Sequence, residues 1–478
     1  MSSSKLARRW PALVALLLAA FGSAASGADL SPDQRDRIAS AVAVYMQRSH
    51  TPAVSVYVDR GGSPLYRTDV GIADEESKRA VDADSIYAIG SITKSFTAHA
   101  VLSLVAAGKL RLEDTVGSVL ADYGGPAKAV TIEQLLEHTS GIPNYVNEIP
   151  GLLPRLHRGE LTRQEMLATF SSMPLLFAPG TRWSYSNSGY YLLGLIVERV
   201  SGKSYYDYLR DDVLKPLGIT RVWSGDDRQI LPHRVHGYEI GAAGLENATP
   251  WYYLVPFSAG SLMTTAEELA RYRRAVFTSS AVSPEVRTLI TTDRPLAGGE
   301  RTGYTLGAMS RTQFGGLEKF AHSGEIWGFS ASNAYYPAQD TVIVVLTNSK
   351  QAVPSAVSLE RSVARVLFGI PEPSVPASGT RDRAVKLADY TGKYSLGAKR
   401  IGPPALAFAA KGDDLYFGYG DVADTSRMLR LVRVGRDRFV LADDPETGFE
   451  FRRRSPSGPV YQVVLDAFNG YFDALRTP

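Results

Sequence analysis

The sequence predicts a domain of mixed helices and strands (the α/β domain), followed by a small antiparallel β domain. Three observations favour this division. Helical and strand-like patterns alternate through the first three quarters of the chain. The polar, proline-rich stretch IPEPSVPASGTRDR then interrupts them as a linker does. Short strand patterns with Gly/Asp turns follow and indicate a barrel or sandwich. The expected boundaries are 29–370 for the α/β domain, 371–384 for the linker and 385–478 for the β domain.

The remaining residues, 1–28, have the organisation of a secretory signal peptide. Lys5, Arg8 and Arg9 precede the apolar run PALVALLLAAFGSA, and small residues then offer cleavage sites after position 25 or 28. The apolar run is shorter than the roughly 20 residues of a membrane-spanning helix. We therefore expect an exported protein, periplasmic or secreted, with no membrane span after cleavage. An uncleaved N-terminal membrane anchor is the alternative.

Composition narrows the possible functions. The formal net charge is +3, and cleavage would remove Lys5, Arg8 and Arg9 but no acidic residue, which leaves a neutral mature chain. Such a chain lacks the bulk positive charge of nucleic-acid-binding proteins. The sequence contains no cysteine, which excludes disulfides, thiol nucleophiles and thiolate metal sites.

The first half of the α/β domain shows clear helix signals. Apolar residues at helical spacing predict a helix over about 31–49, and AVSVYVDRGG alternates as a strand that ends in a turn. Three further helices are delimited by capping or terminating residues: one from Ser91 to about Gly108, a short one opened by a Thr131/Gln134 capping box, and one that ends at Gly202.

The second half of this domain alternates in the same way. A Thr265/Glu268 capping box opens another helix. SASNAYYPAQDTVIVVLTNS predicts two antiparallel strands joined at Pro337 to Asp340. SLERSVARVLFG then predicts an amphipathic helix that closes the domain.

Ser91 and Lys94 lie three residues apart at the start of an apolar helix. Positions i and i+3 share one helix face, so the lysine amine can reach the serine hydroxyl. A serine nucleophile needs a positioned base, and burial would lower the pKa of Lys94 towards that role. The pair also has a purely structural explanation. Ser91 could cap the helix while the Lys94 side chain extends to solvent. Ser2 and Lys5 repeat the spacing inside the signal peptide.

Tyr185 and Asn187 lie two residues apart between a turn and a helix. In extended chain they point to the same side. A nearby cation would lower the pKa of Tyr185 and let it act as acid or base, while the amide of Asn187 would orient substrate and lysine. Tyr145 and Asn147 have the same spacing. We prefer Tyr185, because the adjoining helix would hold it rigidly.

His322, Ser323 and Gly324 open a strand-like segment. Glycine in a strand permits close approach of a substrate backbone. Because an imidazole is partly cationic near neutral pH, His322 is a candidate ligand for a substrate carboxylate. A surface histidine beside a turn is the alternative.

Together these motifs resemble the serine β-lactamase and penicillin-recognising superfamily, on the branch of class C β-lactamases, DD-peptidases and β-lactamase-like esterases. The resemblance covers roughly 35–370, in the family's order. It rests on these stretches: IGSITKSFTA, GKLRLEDTV, TIEQLLEHTSGIP, FAPGTRWSYSNSGYYLLGLIVERVSGKSY, KPLGIT, SAGSLMTTAEELARY and AHSGEIWGFSASNAYYP.

The resemblance implies a fold and a set of roles. The fold is an antiparallel sheet flanked by helices, with an all-helical lobe inserted. Ser91 is then the acylated nucleophile, Lys94 and Tyr185 share proton transfer, and Asn187 positions substrate. The 322–324 motif lines the facing strand.

Two further roles follow from the resemblance. The backbone N–H of Glu325 joins that of Ser91 as the oxyanion hole, and His138 in HTSG is structural. The C-terminal β domain is similar to the lipocalin-like barrels appended to some peptidase members.

The third motif departs from antibiotic-resistance class C enzymes, which usually have Lys-Thr-Gly where this chain has His-Ser-Gly. We therefore expect hydrolysis of amide or peptide bonds in D-amino-acid or peptidoglycan-type substrates. A β-lactamase or a carboxylesterase is the alternative. A penicillin or muropeptide sensor, acylated without turnover, is an alternative of another class.

No cofactor is expected. His233 and His236 have the spacing of two metal ligands, but no third ligand lies nearby in the sequence. No G-x-S-x-G, H-E-x-x-H or phosphate-binding glycine loop is present. The expected partner is a small-molecule or peptide substrate.

Overall fold

The computed structural model describes residues 29–148, 162–226, 228–241, 244–250, 252–350, 354–372, 386–395, 406–419, 428–467 and 470–477. The expected signal peptide lies outside the described residues. So does the expected linker, apart from Pro371 and Glu372. The boundaries drawn there stay predictions.

The α-helices of the described residues are numbered in chain order. They are α1 Pro32–Ser49, α2 Thr93–Ala106, α3 Val116–Val119, α4 Ile132–Leu136, α5 Tyr145–Glu148, α6 Arg163–Ser171, α7 Asn187–Ser201, α8 Tyr205–Tyr208, α9 Phe257–Gly260, α10 Ala266–Thr278, α11 Pro284–Thr291 and α12 Ala356–Phe368.

The strands are numbered in the same way. Those of the α/β domain are β1 Ala53–Arg60, β2 Ser63–Asp74, β3 Arg79–Ala80, β4 Tyr87–Ala88, β5 Val222–Trp223, β6 Tyr238–Gly241, β7 Gly244–Asn247, β8 Met263–Thr264, β9 Ser310–Phe314, β10 Leu317–Ile326, β11 Phe329–Tyr336 and β12 Thr341–Thr347. Those of the C-terminal region are β13 Gly392–Ser395, β14 Leu406–Lys411, β15 Asp414–Tyr419, β16 Leu429–Gly435, β17 Arg438–Leu441, β18 Gly448–Arg453, β19 Val460–Ala467 and β20 Gly470–Arg476.

Of the two capping boxes predicted from the sequence, one forms in full and one only in part. The Thr265 side chain accepts from the N–H of Glu268, but the Glu268 carboxylate accepts from the N–H groups of Thr220 and Arg221 instead of completing the box. A box that was not predicted opens α1, where Ser31 accepts from the N–H of Gln34 and the Gln34 side chain accepts from the N–H of Ser31. Thr131 and Gln134 make the same pair of bonds at the start of α4. These local bonds satisfy N–H groups that have no partner inside the helix.

A seven-stranded antiparallel sheet, ordered β3-β2-β1-β12-β11-β10-β9, forms the centre of the α/β domain. One face packs on α1 and α12 through residues such as Ile38 and Val363. The other face packs on α10, and residues such as Tyr57 and Val344 belong to the larger apolar cluster that also includes residues of α2 and α7. The expected antiparallel sheet flanked by helices is therefore confirmed.

The C-terminal strands form a separate barrel. Strands β13 to β20 pair in sequence order, and β13 pairs with β20 to close the ring. Its interior is filled by large side chains, among them Tyr394, Phe408, Phe417, Phe449 and Phe451. The predicted antiparallel barrel is confirmed. Its centre is a packed core.

The β17–β18 connection joins the barrel to the α/β domain. Ser358 Oγ on α12 donates to Asp444 Oδ2 at 2.7 Å, and Arg365 forms an ion pair with Glu446. Arg361 donates to the carbonyl of Glu446 at 2.5 Å. In the described residues, the hydrogen bonds and ion pairs between the two parts all involve α1 or α12, so they lie on one face of the sheet.

The Arg365–Glu446 pair should contribute to the stability of the whole chain. The two side chains are 11% and 7% exposed. Glu446→Gln should lower the free energy of unfolding by about 3 kcal/mol, because Arg365 would keep a buried charge without its partner. Calorimetry or urea unfolding measures the change.

The matched control is Glu450→Gln on β18, where Glu450 and Arg452 are about half exposed. It should change the free energy of unfolding by no more than about 0.5 kcal/mol. Equal effects of the two substitutions would contradict a stabilising role for the contact with α12.

Candidate active site

Ser91 stands in a single 3₁₀ turn, Gly90–Ile92, which connects β4 to α2. The turn directs the Ser91 side chain to the surface, where it is partly exposed, while Lys94 one turn along α2 is 0% exposed. The sequence predicted this pair, and the structure places Lys94 Nζ 3.0 Å from Ser91 Oγ.

Lys94 Nζ has two further partners, and both are neutral carbonyl oxygens. It donates to Asn187 Oδ1 at 2.7 Å and to the Ala259 carbonyl at 2.7 Å. Burial without a carboxylate partner lowers the pKa of Lys94 well below its usual 10.5. The amine can therefore be neutral in the pH range where proteins function.

The protonated amine donates to Ser91 Oγ as well as to the two carbonyls. The neutral amine has two N–H donors and one lone pair. In that form the two carbonyl acceptors use both donors, and the lone pair faces Ser91 Oγ and accepts its hydrogen. This is the arrangement that a general base needs before it activates a serine.

Asn187 is oriented by a residue that sequence reasoning missed. Asn187 Nδ2 donates to Asn144 Oδ1 at 3.2 Å, which turns the Asn187 oxygen towards Lys94. The Ala259 carbonyl was also missed. No sequence signal marks a backbone carbonyl as a ligand.

Tyr185, and not Tyr145, lies against the Ser91–Lys94 pair. The Tyr185 hydroxyl hydrogen-bonds with Ser91, and Lys94 Nζ lies 4.7 Å from the centre of its ring. Tyr145 is in the core, and its hydroxyl donates to the Val255 carbonyl at 2.7 Å.

The expected lowering of the Tyr185 pKa is wrong. Desolvation raises this pKa, and the hydrogen bond to Ser91 offsets the rise only in part. The physical reason is that removal of Tyr185 from water disfavours the charged phenolate. Tyr185 therefore remains a protonated hydroxyl and a proton donor.

His138 of the HTSG stretch fixes the backbone on both sides of Tyr185. Its carbonyl accepts from the N–H of Ser184 at 2.8 Å, and its Nδ1 accepts from the N–H of Ser186 at 3.1 Å. Its ring lies 4.3 Å from the ring of Tyr185. These contacts agree with the structural role expected for His138.

Two glycines bring β10 into backbone contact with the Ser91 turn. A Cβ on Gly324 would lie 1.9 Å from the Ile89 carbonyl oxygen and 3.1 Å from Ser91 N. A Cβ on Gly90, whose φ is +48°, would lie 2.8 Å from Glu325 N. The backbone N–H groups of Ser91 and Glu325 therefore lie at one junction, as an oxyanion hole requires.

His322 is on β10, but its environment differs from the expectation. It is 6% exposed, and its Nε2 lies 3.0 Å from the hydroxyl of Tyr304. Burial and the nearby charge of Lys94 lower the pKa of His322 to about 3. The expectation of an imidazole that is partly cationic near neutral pH is therefore wrong. Ser323, the next residue along β10, is partly exposed.

The described ranges contain neither a candidate metal centre nor a candidate membrane-spanning helix. No group of three or more His, Asp or Glu side chains could hold a metal ion there. Over the same residues, no helix combines the length and hydropathy required to span a bilayer.

Comparison with known proteins places this site in a family. A sequence model of the Beta-lactamase family matches residues 38–368, which contain every residue of the site. The chain belongs to the Beta-lactamase family. It is a serine hydrolase of the β-lactamase/DD-peptidase type.

The similarity to two known proteins covers far more of the chain than the site itself. Penicillin-binding protein 4* of Bacillus subtilis is 27% identical over 368 residues, which cover 72% of this chain and 79% of the relative. The octameric penicillin-binding protein homologue from Pyrococcus abyssi has a TM-score of 0.64 at 25% identity, over 92% of this chain and 99% of that one. The second comparison therefore includes most of the C-terminal barrel.

A third solved structure shares the fold of the α/β domain. D-amino acid amidase from Ochrobactrum anthropi SV3, complexed with L-phenylalanine amide, has a TM-score of 0.61 at 22% identity. It covers 70% of this chain and 99% of that one. At this identity the likeness concerns the fold alone.

In this Beta-lactamase family member, Gly324→Ala should abolish most activity. The added Cβ would overlap the Ile89 carbonyl and displace β10 from Ser91. We expect kcat to fall by about 10²- to 10³-fold, the usual result of losing one oxyanion-hole donor. Steady-state kinetics with an ester or amide substrate measures the loss.

Gly124→Ala is the matched control, because nothing lies within 4 Å of its added Cβ. It should leave kcat within about twofold, as surface substitutions usually do. If Gly324→Ala were equally harmless, the contact between β10 and the Ser91 turn would have no role in the reaction.

The lowered pKa of Lys94 should determine the pH dependence of the reaction. Because the neutral amine is the base, kcat/KM should rise as pH passes this pKa and reach a plateau well below 10.5, the usual lysine pKa. A pH–rate profile measures this limb.

His322 should add no falling limb near neutral pH, since its pKa is about 3. His322→Asn should therefore leave the shape of the profile unchanged above about pH 5. A falling limb that disappears in this variant would show that His322 acts as a cation.

Proposed function

We propose that this protein hydrolyses amide or peptide bonds of D-amino-acid or peptidoglycan-type substrates through an acyl-enzyme on Ser91. The observation that carries the proposal is the fully buried amine of Lys94, 3.0 Å from Ser91 Oγ and otherwise bonded to two neutral carbonyls.

Acylation begins with proton transfer from Ser91 to Lys94. As the amine takes the hydroxyl proton, Ser91 Oγ forms a bond to the substrate carbonyl carbon. The carbonyl oxygen becomes an oxyanion, which accepts hydrogen bonds from the N–H groups of Ser91 and Glu325. Asn187 keeps the new ammonium in place through its side-chain oxygen.

Expulsion of the amine completes acylation. An amide nitrogen is a poor leaving group until it is protonated. The protonated hydroxyl of Tyr185 gives it that proton, and the proton held by Lys94 replaces it. The C–N bond breaks, and the acyl group stays on Ser91 as an ester. Water then attacks the ester by the reverse sequence of proton transfers.

The substrate preference is supported by the third motif and by two relatives. A neutral His322 gives no permanent charge for the carboxylate of a β-lactam. Both penicillin-binding relatives carry names that refer to penicillin recognition. The D-amino acid amidase fold supports an amide substrate only as an analogy of architecture.

Export forms part of the same proposal. The signal-peptide pattern of residues 1–28 would send the enzyme to the compartment where peptidoglycan peptides are present. Cleavage-site mapping of the secreted protein tests this point independently of activity.

Covalent labelling tests the acyl-enzyme. A fluorescent penicillin or fluorophosphonate should label the peptide that contains Ser91, and Ser91→Ala should abolish both the label and turnover. Label on another serine would overturn the assignment. A stable label without turnover of any substrate would favour the penicillin or muropeptide sensor.

Two tyrosine substitutions test the proton donor. Tyr185→Phe should lower kcat by about 10²-fold, the scale of a lost acid–base group. Tyr145→Phe also removes a tyrosine hydroxyl, but this hydroxyl bonds only to the Val255 carbonyl. It should therefore leave kcat nearly unchanged. The reverse order of effects would show that the wrong tyrosine has been chosen.

A parallel substrate panel tests the class of bond. D-amino-acid amides and D-alanyl peptides should give the highest kcat/KM, with p-nitrophenyl esters as a side activity. Nitrocefin hydrolysed far faster than any peptide or ester would establish a β-lactamase instead.

A further inference from the structure

Arg273 on α10 is a buried cation beneath the active site that the reaction does not use. Its side chain is 0% exposed. In the described part of the chain, no carboxylate forms an ion pair with it. Burial lowers the pKa of Arg273 to about 10, so the guanidinium still carries its charge at neutral pH. An unpaired buried charge is strongly destabilising unless an opposite charge compensates it.

The contacts of Arg273 are too weak to replace a counter-charge. One terminal nitrogen lies 3.4 Å from Ser95 Oγ, and the other contacts the thioether of Met309. Ser95 Oγ already donates to the Ala308 carbonyl at 3.0 Å. A thioether is a weak acceptor. The Nε–H of Arg273 has no hydrogen-bond partner.

Helix and strand spacing place Arg273 over the strand pair that carries His322. Phe277, one turn further along α10, contacts Phe320 on β10 and Tyr335 on β11, with ring centres 5.3 and 4.5 Å apart. The next pair on this face of the sheet is His322 with Asn333. The charge of Arg273 acts on His322, which is consistent with this position.

Among the described residues, two more buried polar side chains in the segments around Arg273 lack hydrogen-bond partners, one on the strand paired with His322 and one in the segment before β9. Asn333 is 0% exposed, and neither its side-chain oxygen nor its nitrogen has a hydrogen bond. Thr305 Oγ1 is also buried and unbonded. The N–H of Thr305 donates to the Met309 carbonyl at 2.8 Å, so Thr305 adjoins the residue that Arg273 contacts. Each unpaired buried group costs about 1–3 kcal/mol.

We propose that Arg273, Asn333 and Thr305 form a binding site for a small monovalent anion of the halide class, with chloride as its natural ligand. The three side chains offer a guanidinium N–H, an amide N–H and a hydroxyl. A halide accepts several hydrogen bonds without a fixed direction, so it suits donors from three different elements. The ion would supply the counter-charge that Arg273 otherwise lacks.

Thermal unfolding in different sodium salts tests the site. At constant ionic strength, replacing gluconate by chloride or bromide should raise the unfolding midpoint in a saturable way, by roughly 2 °C or more. Thr305→Val should shift the halide dependence to several-fold higher concentration. Arg273→Met should abolish it.

Arg274→Met is the matched control, because Arg274 is adjacent on α10 but already paired with Asp59 and Asp340. It should lower the midpoint and keep the full halide dependence. Anomalous scattering from crystals soaked in bromide should show a peak beside the Arg273 guanidinium in the wild type and none in Thr305→Val at limiting bromide.

Four results would overturn the proposal. One is a wild-type midpoint that does not distinguish halides from gluconate. Another is a halide dependence that survives in Arg273→Met. If Arg273→Met does not fold, the test rests on Thr305→Val, and an unchanged halide dependence there would overturn it. A bromide map without a peak at Arg273 would indicate that water alone satisfies these groups.

Discussion

The site depends on the burial of one amine. Lys94 is useful as a base only because the fold removes it from water and gives it neutral acceptors. A single carboxylate at the position of Asn187 would hold the proton on the lysine and stop proton abstraction from Ser91. The choice of an amide and a backbone carbonyl as partners is therefore an electrostatic requirement of the chemistry.

The same requirement explains the aromatic shell around the site. The rings of Tyr185, Tyr190 and Tyr304 lie within 4.3 to 5.1 Å of the ring of His138. Such a shell excludes water from one side of Lys94 while the hydroxyl of Tyr185 stays in contact with Ser91. The same residues therefore pack the site and take part in its chemistry. His138 packs against the tyrosine rings and also holds the backbone around Tyr185 through its hydrogen bonds.

The sheet separates the chemistry from the barrel. Ser91 and Lys94 belong to elements packed on one face, whereas the described contacts of the barrel lie on α1 and α12 at the other. The packed interior of the barrel leaves its surface as the part available to other molecules. In the described residues, the barrel makes its hydrogen bonds and ion pairs to the catalytic domain on α1 and α12.

The sequence by itself determined the elements and the reacting pair, because both depend on short-range patterns. Capping boxes and apolar spacing predicted α1 and α4, and the spacing of Ser91 and Lys94 placed the two side chains on one face of the helix. The short strand patterns after the linker predicted the barrel or sandwich, and the family resemblance implied the antiparallel sheet of the first domain.

Only the tertiary structure decided the protonation states and the distant partners. The Ala259 carbonyl reaches Lys94, and Asn144 reaches Asn187, from segments far apart in the chain. The sequence contains no signal of such contacts. The pKa values of Tyr185 and His322 could not be predicted, because desolvation depends on everything packed around a group. That surrounding is fixed only when the helices close over the sheet.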